Sequence, residues 1–571
     1  MRAAAGARRA AATGLHRGRH LLFDSRVFGG VLGLLGYTAT RWALLPHGAT
    51  PWSSHVLLGK GSDPGQYVWS LAWWPYALAH GLNPFITRLV WAPRGFNLTW
   101  DASIPFLALL AWPVTALAGP LVAFNVLTFL APVTAGIAAY LLCLTLVRKP
   151  LAAVVGGWLF AFSSYEMAQS QSHLNLDWTV AVPLVGWLTV LRYRQAVGAK
   201  TYITATAAML ACEFGTSIEV FATLTLFALG SWVMALALVA DQRQRLLALA
   251  RDGALAYVIW AIICLPYLVY FAMGASQVPA EIRSAATYST DLLNFVLPTP
   301  ITAIGGAAAH SLTAHFTGNF GEDGGYVGLP LLGIVGYFAF TGRRAAWSAT
   351  ATVVLGLTAI ATLGPRLHVL GTIGVRLPWL VATHLPLIKS ALPARLTLYI
   401  ALFVAIMTAS VLVRTSRRRW LAAALAVLAV ASTWPTTLPA PAVRPPTWVS
   451  SRLYRKLVRP SATLVLLPYG STGNSMLWQE MSGFYFRMAG GYTTIVPLSF
   501  SSQVTVQWFF DNRPSEAPGP ELERFCVAHG VSALIVDLDR SRGWAAVLAR
   551  LGWRHVRVGQ SIIFWVPRRA A

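Results

Sequence analysis

The stretch Gly61-Ser62-Asp63-Pro64-Gly65-Gln66-Tyr67-Val68-Trp69-Ser70-Leu71-Ala72-Trp73-Trp74-Pro75-Tyr76 decides how this chain is read. It belongs to a polar and aromatic segment, Pro46–Ser103, wedged between a first hydrophobic run and a long row of others. Trp and Tyr at this density suit the boundary between lipid and water, where an amphipathic ring meets both environments. Gln66–Gly81 is therefore expected to be a helix lying along that boundary, with the lone carboxylate Asp63 at its start. Pro93-Arg94-Gly95-Phe96-Asn97-Leu98-Thr99-Trp100-Asp101 closes the segment.

Working outward, the 571 residues are 56% hydrophobic and only 11% charged, with a mean hydropathy of +0.57. A chain this apolar reads as a polytopic membrane protein and not as a soluble one. Its formal charge of +24 raises the question of nucleic acid. The basic residues, however, sit in short clusters between apolar runs, where the positive-inside rule accounts for them, so membrane lipid is the expected partner and nucleic acid is not. The basic N-terminus, residues 1–27 with Arg2, Arg8, Arg9, Arg17 and Arg19, reads as a cytoplasmic flank without a convincing signal-peptide cleavage site after Phe28–Leu45. Cys143, Cys212 and Cys264 fall inside apolar runs and Cys526 stands alone, so no disulfide framework or thiolate metal site is implied.

A membrane span needs about 20 apolar residues. Candidates are 28–45, 121–146, 151–164, 177–193, 201–213, 218–240, 254–273, 328–341, 346–363, 394–413 and 419–434. The apolar segment 104–118, with Pro105 and Pro113, decides the topology. If it does not cross, Arg148/Lys149, Arg192/Arg194/Lys200, Arg243/Arg245/Arg251, Arg343/Arg344 and Arg414/Arg417/Arg418/Arg419 all share the side of the basic N-terminus. Taking 104–118 as re-entrant or interfacial leaves about eleven spans, an inside N-terminus and an outside C-terminus.

On that topology the outer face receives Pro46–Ser103, Ser163–Asp177, Gly274–Val327 and Gly364–Pro393, while the inner loops are short and basic. After the Pro-rich linker Trp434–Pro446 the composition changes. Strands at Thr463–Leu467, Ser532–Val536 and Ile562–Val566 alternate with helices at Glu521–His529 and Trp544–Leu551. This predicts a small extracytoplasmic α/β domain over 435–571, following an all-α transmembrane region over 28–434.

The candidate functional residues gather on that outer side. Asp63 reads either as a helix N-cap before Pro64 or as a general base, a carboxylate that orients an acceptor hydroxyl. Glu213 and Glu219 stand at the outer ends of two spans, where a carboxylate is costly and marks either local pairing or a functional site. His173 can donate to a phosphate, carry a proton or make a structural hydrogen bond. Arg395 opens a span on its outer side, against the positive-inside trend. With Lys389 nearby it reads as a phosphate clamp, or else as a snorkelling side chain. His310 and His315 are only a weak metal signal, and no metal or other cofactor is assigned. No phosphate-binding Gly-x-x-x-x-Gly-Lys-Ser/Thr loop and no Gly-x-Ser-x-Gly elbow occurs.

A first span followed by a large outer loop with an early Asp, many further spans and an outer C-terminal domain resembles the GT-C membrane glycosyltransferases. Ser-Asp-Pro-Gly-Gln (62–66), His-Leu-Asn-Leu (173–176), Asp-Leu-Leu-Asn-Phe-Val-Leu-Pro-Thr (291–299) and Leu-Pro-Ala-Arg (392–395) are similar to the YfhO-like branch and to related bacterial membrane proteins. The resemblance covers roughly 28–434. It departs from the commonest pattern in having no adjacent pair of carboxylates in the first loop.

The resemblance implies a bacterial plasma-membrane enzyme that takes a sugar from a polyprenyl-phosphate donor and gives it to a cell-envelope glycan, lipid or protein. Asp63 would be its base, and Arg395 would contact donor phosphate, with His173, Glu219 and Lys389 as further binding residues. Two other readings stand beside it. A lipid-linked glycan transporter or flippase would want ionisable residues near the bilayer midplane and matching broken helices in two halves, and neither is evident here. A non-catalytic scaffold would keep the fold without the chemistry.

Overall fold

The computed structural model describes residues 25–279, 284–384, 391–514 and 519–567. Helix α1 (25–43) leads into the first loop, which contains α2 (Asp63–Ala79). Pro64 occupies the first turn of α2, where a missing N–H is harmless. The N-cap position falls to Ser62, which makes no side-chain cap, so the N-cap reading of Asp63 does not hold.

The segment 104–118 folds as two short helices, α3 (Pro105–Leu110) and α4 (Trp112–Ala118), of 6 and 7 residues. At about 1.5 Å per residue each is about 10 Å long, a third of a hydrocarbon core. Pro113 restarts the chain after Ala111, and Leu110, Trp112 and Leu117 remain exposed.

The helical body continues with α5 (Pro120–Val147), α6 (Pro150–Ala161), α7 (Ser164–Gln169), α8 (Leu174–Asp177), α9 (Ala181–Tyr193), α10 (Ala199–Phe214) and α11 (Ile218–Leu238). Next come α12 (Arg243–Ile263), α13 (Leu265–Gly274), α14 (Gly306–Thr313), α15 (Leu329–Gly342), α16 (Ala346–Thr362), α17 (Trp379–Ala382), α18 (Thr397–Arg414) and α19 (Arg419–Ser432). Among the described residues six stretches are long and apolar enough to cross a membrane: Pro120–Val147, Pro150–Gln169, Leu174–Tyr193, Ile218–Leu238, Ala240–Ile263 and Pro393–Arg414. Three apolar helices, α15, α16 and α19, are shorter.

A helix therefore lies at each expected span, but two boundaries differ. The span expected at 254–273 is cut at Cys264, just before Pro266, into α12 and α13. Arg243, Arg245 and Arg251 belong to α12 and not to a loop, and Asp252 accepts from Arg192 at 2.9 Å and from Arg251 at 3.0 Å. The outer piece expected at Ser163–Asp177 is not a polar loop either. It folds as α7 and α8, with Glu166 and Asp177 fully buried.

Close packing of α1, α5 and α6 relies on Gly157. A Cβ there would stand 2.6 Å from the carbonyl oxygen of Gly136, so only glycine admits the contact. Tyr37 of α1 fills the space beside it and donates to the carbonyl of Val154 at 2.8 Å.

The C-terminal region builds a five-stranded sheet, and two short hairpins precede it: β1 (Ile86–Thr87) with β2 (Phe96–Asn97), and β3 (Arg366–Val369) with β4 (Thr372–Arg376). The sheet runs in the order β6 (Arg487–Met488), β5 (Thr463–Leu467), β7 (Val531–Asp537), β9 (Ser561–Trp565), β8 (His555–Val558). β5 pairs in parallel with both β6 and β7, and β9 runs antiparallel to β7 and β8.

Residues of the first loop run alongside this sheet. Met488 N–H donates to Leu89, Ala92 N–H to Met488 and Trp91 N–H to Gly490 at 2.8–2.9 Å. The first loop and the sheet consequently share one hydrophobic core, in which Trp69, Trp73, Trp74 and Trp91 pack with Leu464, Met476 and Phe500. The indole of Trp69 donates to Gln479 at 2.8 Å and that of Trp74 to the Ser103 carbonyl at 2.9 Å. These rings were expected at a lipid boundary. Instead protein covers them, because the C-terminal region closes over α2.

Candidate functional site

The approach to α2 sets the position of Asp63. Gly59 has φ +128°, and a Cβ there would meet the Gln171 carbonyl oxygen at 2.6 Å. That close pass lets Lys60 N–H bond the same carbonyl at 2.7 Å, which brings the start of α2 against the turn between α7 and α8. Nε2 of His173, in that turn, then lies 2.8 Å from Oδ2 of Asp63. Tyr492, from the C-terminal region, donates its hydroxyl to Oδ1. The carboxylate is thus held between the helical body and the sheet domain.

The proton inventory of this pair follows from Gln169. Its Nε2 donates to the Gly321 carbonyl at 2.7 Å, which fixes the amide with Oε1 toward Nδ1 of His173, also at 2.7 Å. Nδ1 is therefore a donor. Nε2 and Oδ2 of Asp63 face each other across one further proton, so the pair is an imidazolium–carboxylate or its neutral tautomer.

Gly321 also joins this centre to the next. A Cβ on it would meet Cε1 of His173 at 2.8 Å, so the turn Asn319–Glu322 lies directly against the imidazole. Glu322 accepts from Nη2 of Arg395 at 2.7 Å and from Nε at 3.0 Å, a forked pair. Nη1 of Arg395 reaches Glu219, whose other oxygen accepts the Leu392 N–H at 3.4 Å. Glu322 is buried, with 2% of its side chain exposed, whereas Glu219 has 26% exposed. Burial, together with Glu322 and Asp291 nearby, pushes the adjacent Asp323 up to about 7.

Tyr67 stands between the two centres. Its hydroxyl donates to Asn175 at 2.5 Å. Burial raises its phenol well above the ordinary value, and Asp63 adds to the rise while Arg395 opposes it.

Of the residues singled out in the sequence, Asp63 meets His173 and Arg395 meets Glu219. Lys389 lies outside the described residues. Glu213 is buried in α10, away from this hydrogen-bond chain. His310 belongs to α14, and His315 follows it. Among the described residues no three His, Cys, Asp or Glu side chains gather closely enough to hold a metal ion.

Sequence reasoning passed over Gln169, Tyr492, Glu322 and Lys60. Lys60 places Nζ 3.5 Å from the Phe320 ring centre and makes no ion pair among the described residues. It also passed over Asp101, which is buried and whose Oδ1 accepts from Gln66 at 2.6 Å and from Thr494 N–H at 2.7 Å. Burial pushes Asp101 up to about 6. Two carboxylates of the first loop thereby grip the 492–494 segment.

Residues 33–433 match the family model described as a domain of unknown function, DUF6311. No curated protein matches the chain. Among solved structures, the chain is similar to the oligosaccharyltransferase of Archaeoglobus fulgidus in its apo form, with a TM-score of 0.52 and 14% identity over 90% of this chain and 70% of that one. It is similar to the archaeal enzyme AglB from the same organism in complex with an inhibitory peptide and a dolichol-phosphate, with a TM-score of 0.51 and 12% identity over 92% and 72%. It is also similar to the arabinofuranosyltransferase AftD from Mycobacteria, with a TM-score of 0.60 and 13% identity. The chain spans 40% of AftD, and the match covers 96% of the chain itself. Both enzymes have the GT-C fold, and this chain shares it.

Proposed function

The chain belongs to the DUF6311 family and carries the GT-C fold, and on that premise we propose that it is a glycosyltransferase of the bacterial plasma membrane. In this reading it belongs to the polyprenyl-phosphate-sugar-dependent, YfhO-like branch and works on the extracytoplasmic face, transferring its sugar to a cell-envelope acceptor. The observation that carries the proposal is the hydrogen-bonded run from Asp63 through His173 and Gln169 to Gly321, whose chain neighbour Glu322 pairs with Arg395. It sets a carboxylate with a proton partner at one end and the Arg395 guanidinium at the other. A dolichol-phosphate bound to the structurally similar archaeal enzyme belongs to the same class of lipid phosphate.

In the proposed reaction an acceptor hydroxyl hydrogen-bonds to Asp63. Its oxygen attacks the anomeric carbon from the face opposite the phosphate and gives its proton to the carboxylate. The bond from the anomeric carbon to the phosphate oxygen breaks, and its electron pair leaves with the lipid phosphate. That leaving group needs positive charge more than it needs a proton. Lys60, with no carboxylate partner among the described residues, supplies one cation. Arg395 supplies a second when phosphate displaces Glu219, the more exposed of its two partners and the one it bonds through a single nitrogen, while the buried fork to Glu322 stays closed.

The test is Asp63→Asn in the full chain, reconstituted in vesicles with a polyprenyl-phosphate-linked hexose or pentose, with release of polyprenyl phosphate as the readout. Asn still accepts from Tyr492 but takes no proton at neutral pH, so transfer should fall by about 10²–10⁴-fold with the fold intact. Undiminished transfer in Asp63→Asn would remove the residue from the reaction. A wild type without any transfer would favour the scaffold or transporter.

A further inference from the structure

The C-terminal sheet has a feature that the transfer reaction does not use. β5 and β7 are parallel neighbours, yet their connections leave in opposite directions. From β5 the chain passes through the helix Ser475–Met481 to β6 on one side. From β7 it passes through the helix Leu538–Arg550 to β8 and β9 on the other. Opposed connections of this kind open a crevice beyond the carboxyl ends of the two strands, and ligands of open α/β sheets bind in such crevices. A cavity of about 300 Å³ lies there, within the range of small-molecule sites.

Its lining mixes apolar and polar side chains and is balanced in charge. Asp537 and Asp539 follow β7, Arg540 stands beside them, and Arg444 comes from the linker. Among the described residues neither aspartate is in an ion pair with either arginine; Asp537 bonds the N–H of Asp539 at 2.9 Å, and Arg540 reaches the Thr472 carbonyl. Trp478 offers a half-buried ring. Ser475 is 4% exposed, and its Oγ has no hydrogen-bond partner among the described residues. A buried hydroxyl left without a partner is costly unless a ligand or water meets it.

We propose that this crevice is a binding subsite for a neutral oligosaccharide. The two carboxylates oppose a phosphate or a uronate, and the two guanidiniums oppose a cation. Planar polar groups beside one aromatic ring suit vicinal hydroxyls and the C–H face of a sugar. The loop after β5 ties the crevice to the other site, since Ser62, next to Asp63, bonds the Ser471 carbonyl and Arg540 bonds Thr472.

Binding is read without donor, so the result is independent of the transfer reading. The full chain in detergent is titrated with tetrasaccharides of glucose, mannose, galactose and arabinose, followed by saturation-transfer NMR and calorimetry. At least one should bind. Trp478→Ala and the exposed Asp539→Asn should each weaken it by about tenfold or more. Asp539→Asn leaves the core untouched and keeps the test valid if Trp478→Ala fails to fold. Binding of none of the four, or equal binding by Asp539→Asn, overturns the proposal.

Discussion

Nε2 of His173 lies 2.8 Å from Oδ2 of Asp63, while its Nδ1 is held at 2.7 Å by an amide whose orientation is fixed from Gly321. Asp63 therefore does not act alone, and the histidine decides what it can do. In His173→Gln a donor can still reach Asp63, but the shared proton is gone. Transfer should fall by about 10²-fold, and the limb of the pH–rate profile belonging to the pair should disappear. Tyr492→Phe removes one hydrogen bond and should cost about tenfold with the profile shape kept. A His173→Gln enzyme with an unchanged profile would reduce the histidine to a structural role.

The two carboxylates on Arg395 should behave differently. Arg395→Met takes from buried Glu322 the guanidinium that pairs with it and should destabilise the fold by about 3–5 kcal/mol. Arg395→Lys keeps the charge without the fork and should raise the donor KM. Glu219→Gln frees one face of the guanidinium, so the donor KM should hold or fall. Lys60→Met should raise it by about tenfold or more. Kinetics with varied donor concentration decide the matter, and a KM that rises in Glu219→Gln as much as in Lys60→Met would exclude phosphate exchange at Arg395.

Two carboxylates, buried Asp101 and half-buried Asp323, give the fold a pH dependence of known sign. Asp101 is raised to about 6 and Asp323 to about 7, both chiefly by burial. A raised carboxyl favours the protonated folded state, so the stability it adds is full below the unfolded value near 4. That stability is lost as pH rises through the folded value. The thermal midpoint should accordingly fall between about pH 4 and 7, and Asp101→Asn should flatten the part between 4 and 6. The effect at Asp101 is at most about 3 kcal/mol. A slope unchanged in Asp101→Asn would assign the dependence elsewhere.

Much of the architecture was legible because apolar runs of 14–28 residues have few other uses, and the strands at 463–467 and 531–537 are short apolar runs between turn residues. The break at Cys264 was signalled by Pro266, yet the flanking run stays apolar throughout and hides it. The site was legible only in part. Asp63, His173, Glu219 and Arg395 stood out as ionisable groups at the ends of apolar segments. Their partners did not: Tyr492 is 429 positions from Asp63, and nothing local announces that distance. An acidic pair sought in the first loop exists as Glu322-Asp323, framed by Gly321 and Gly324, in a different loop. The tryptophans misled because a ring at a lipid boundary and a ring under a second domain have the same composition.

The orientation of the chain can be tested apart from its chemistry. α3 and α4 are each about 10 Å long, too short to cross. If α1 crosses outward, the first loop and the start of α5 therefore lie on one side, and α5 returns. Val147 then ends on the inside next to Arg148 and Lys149, and Gly342 ends α15 beside Arg343 and Arg344, as the positive-inside rule requires. The C-terminal sheet is bonded to the first loop through Trp91, Ala92 and Tyr492, so it shares that loop's side whatever the number of later spans. Reporter fusions after Val147 and Gly342 should read inside, and a fusion after Pro446 should read outside. The reverse pattern would put Asp63 on the cytoplasmic face. A fusion after Ser103 that reads opposite to one after Pro446 would contradict the shared core itself.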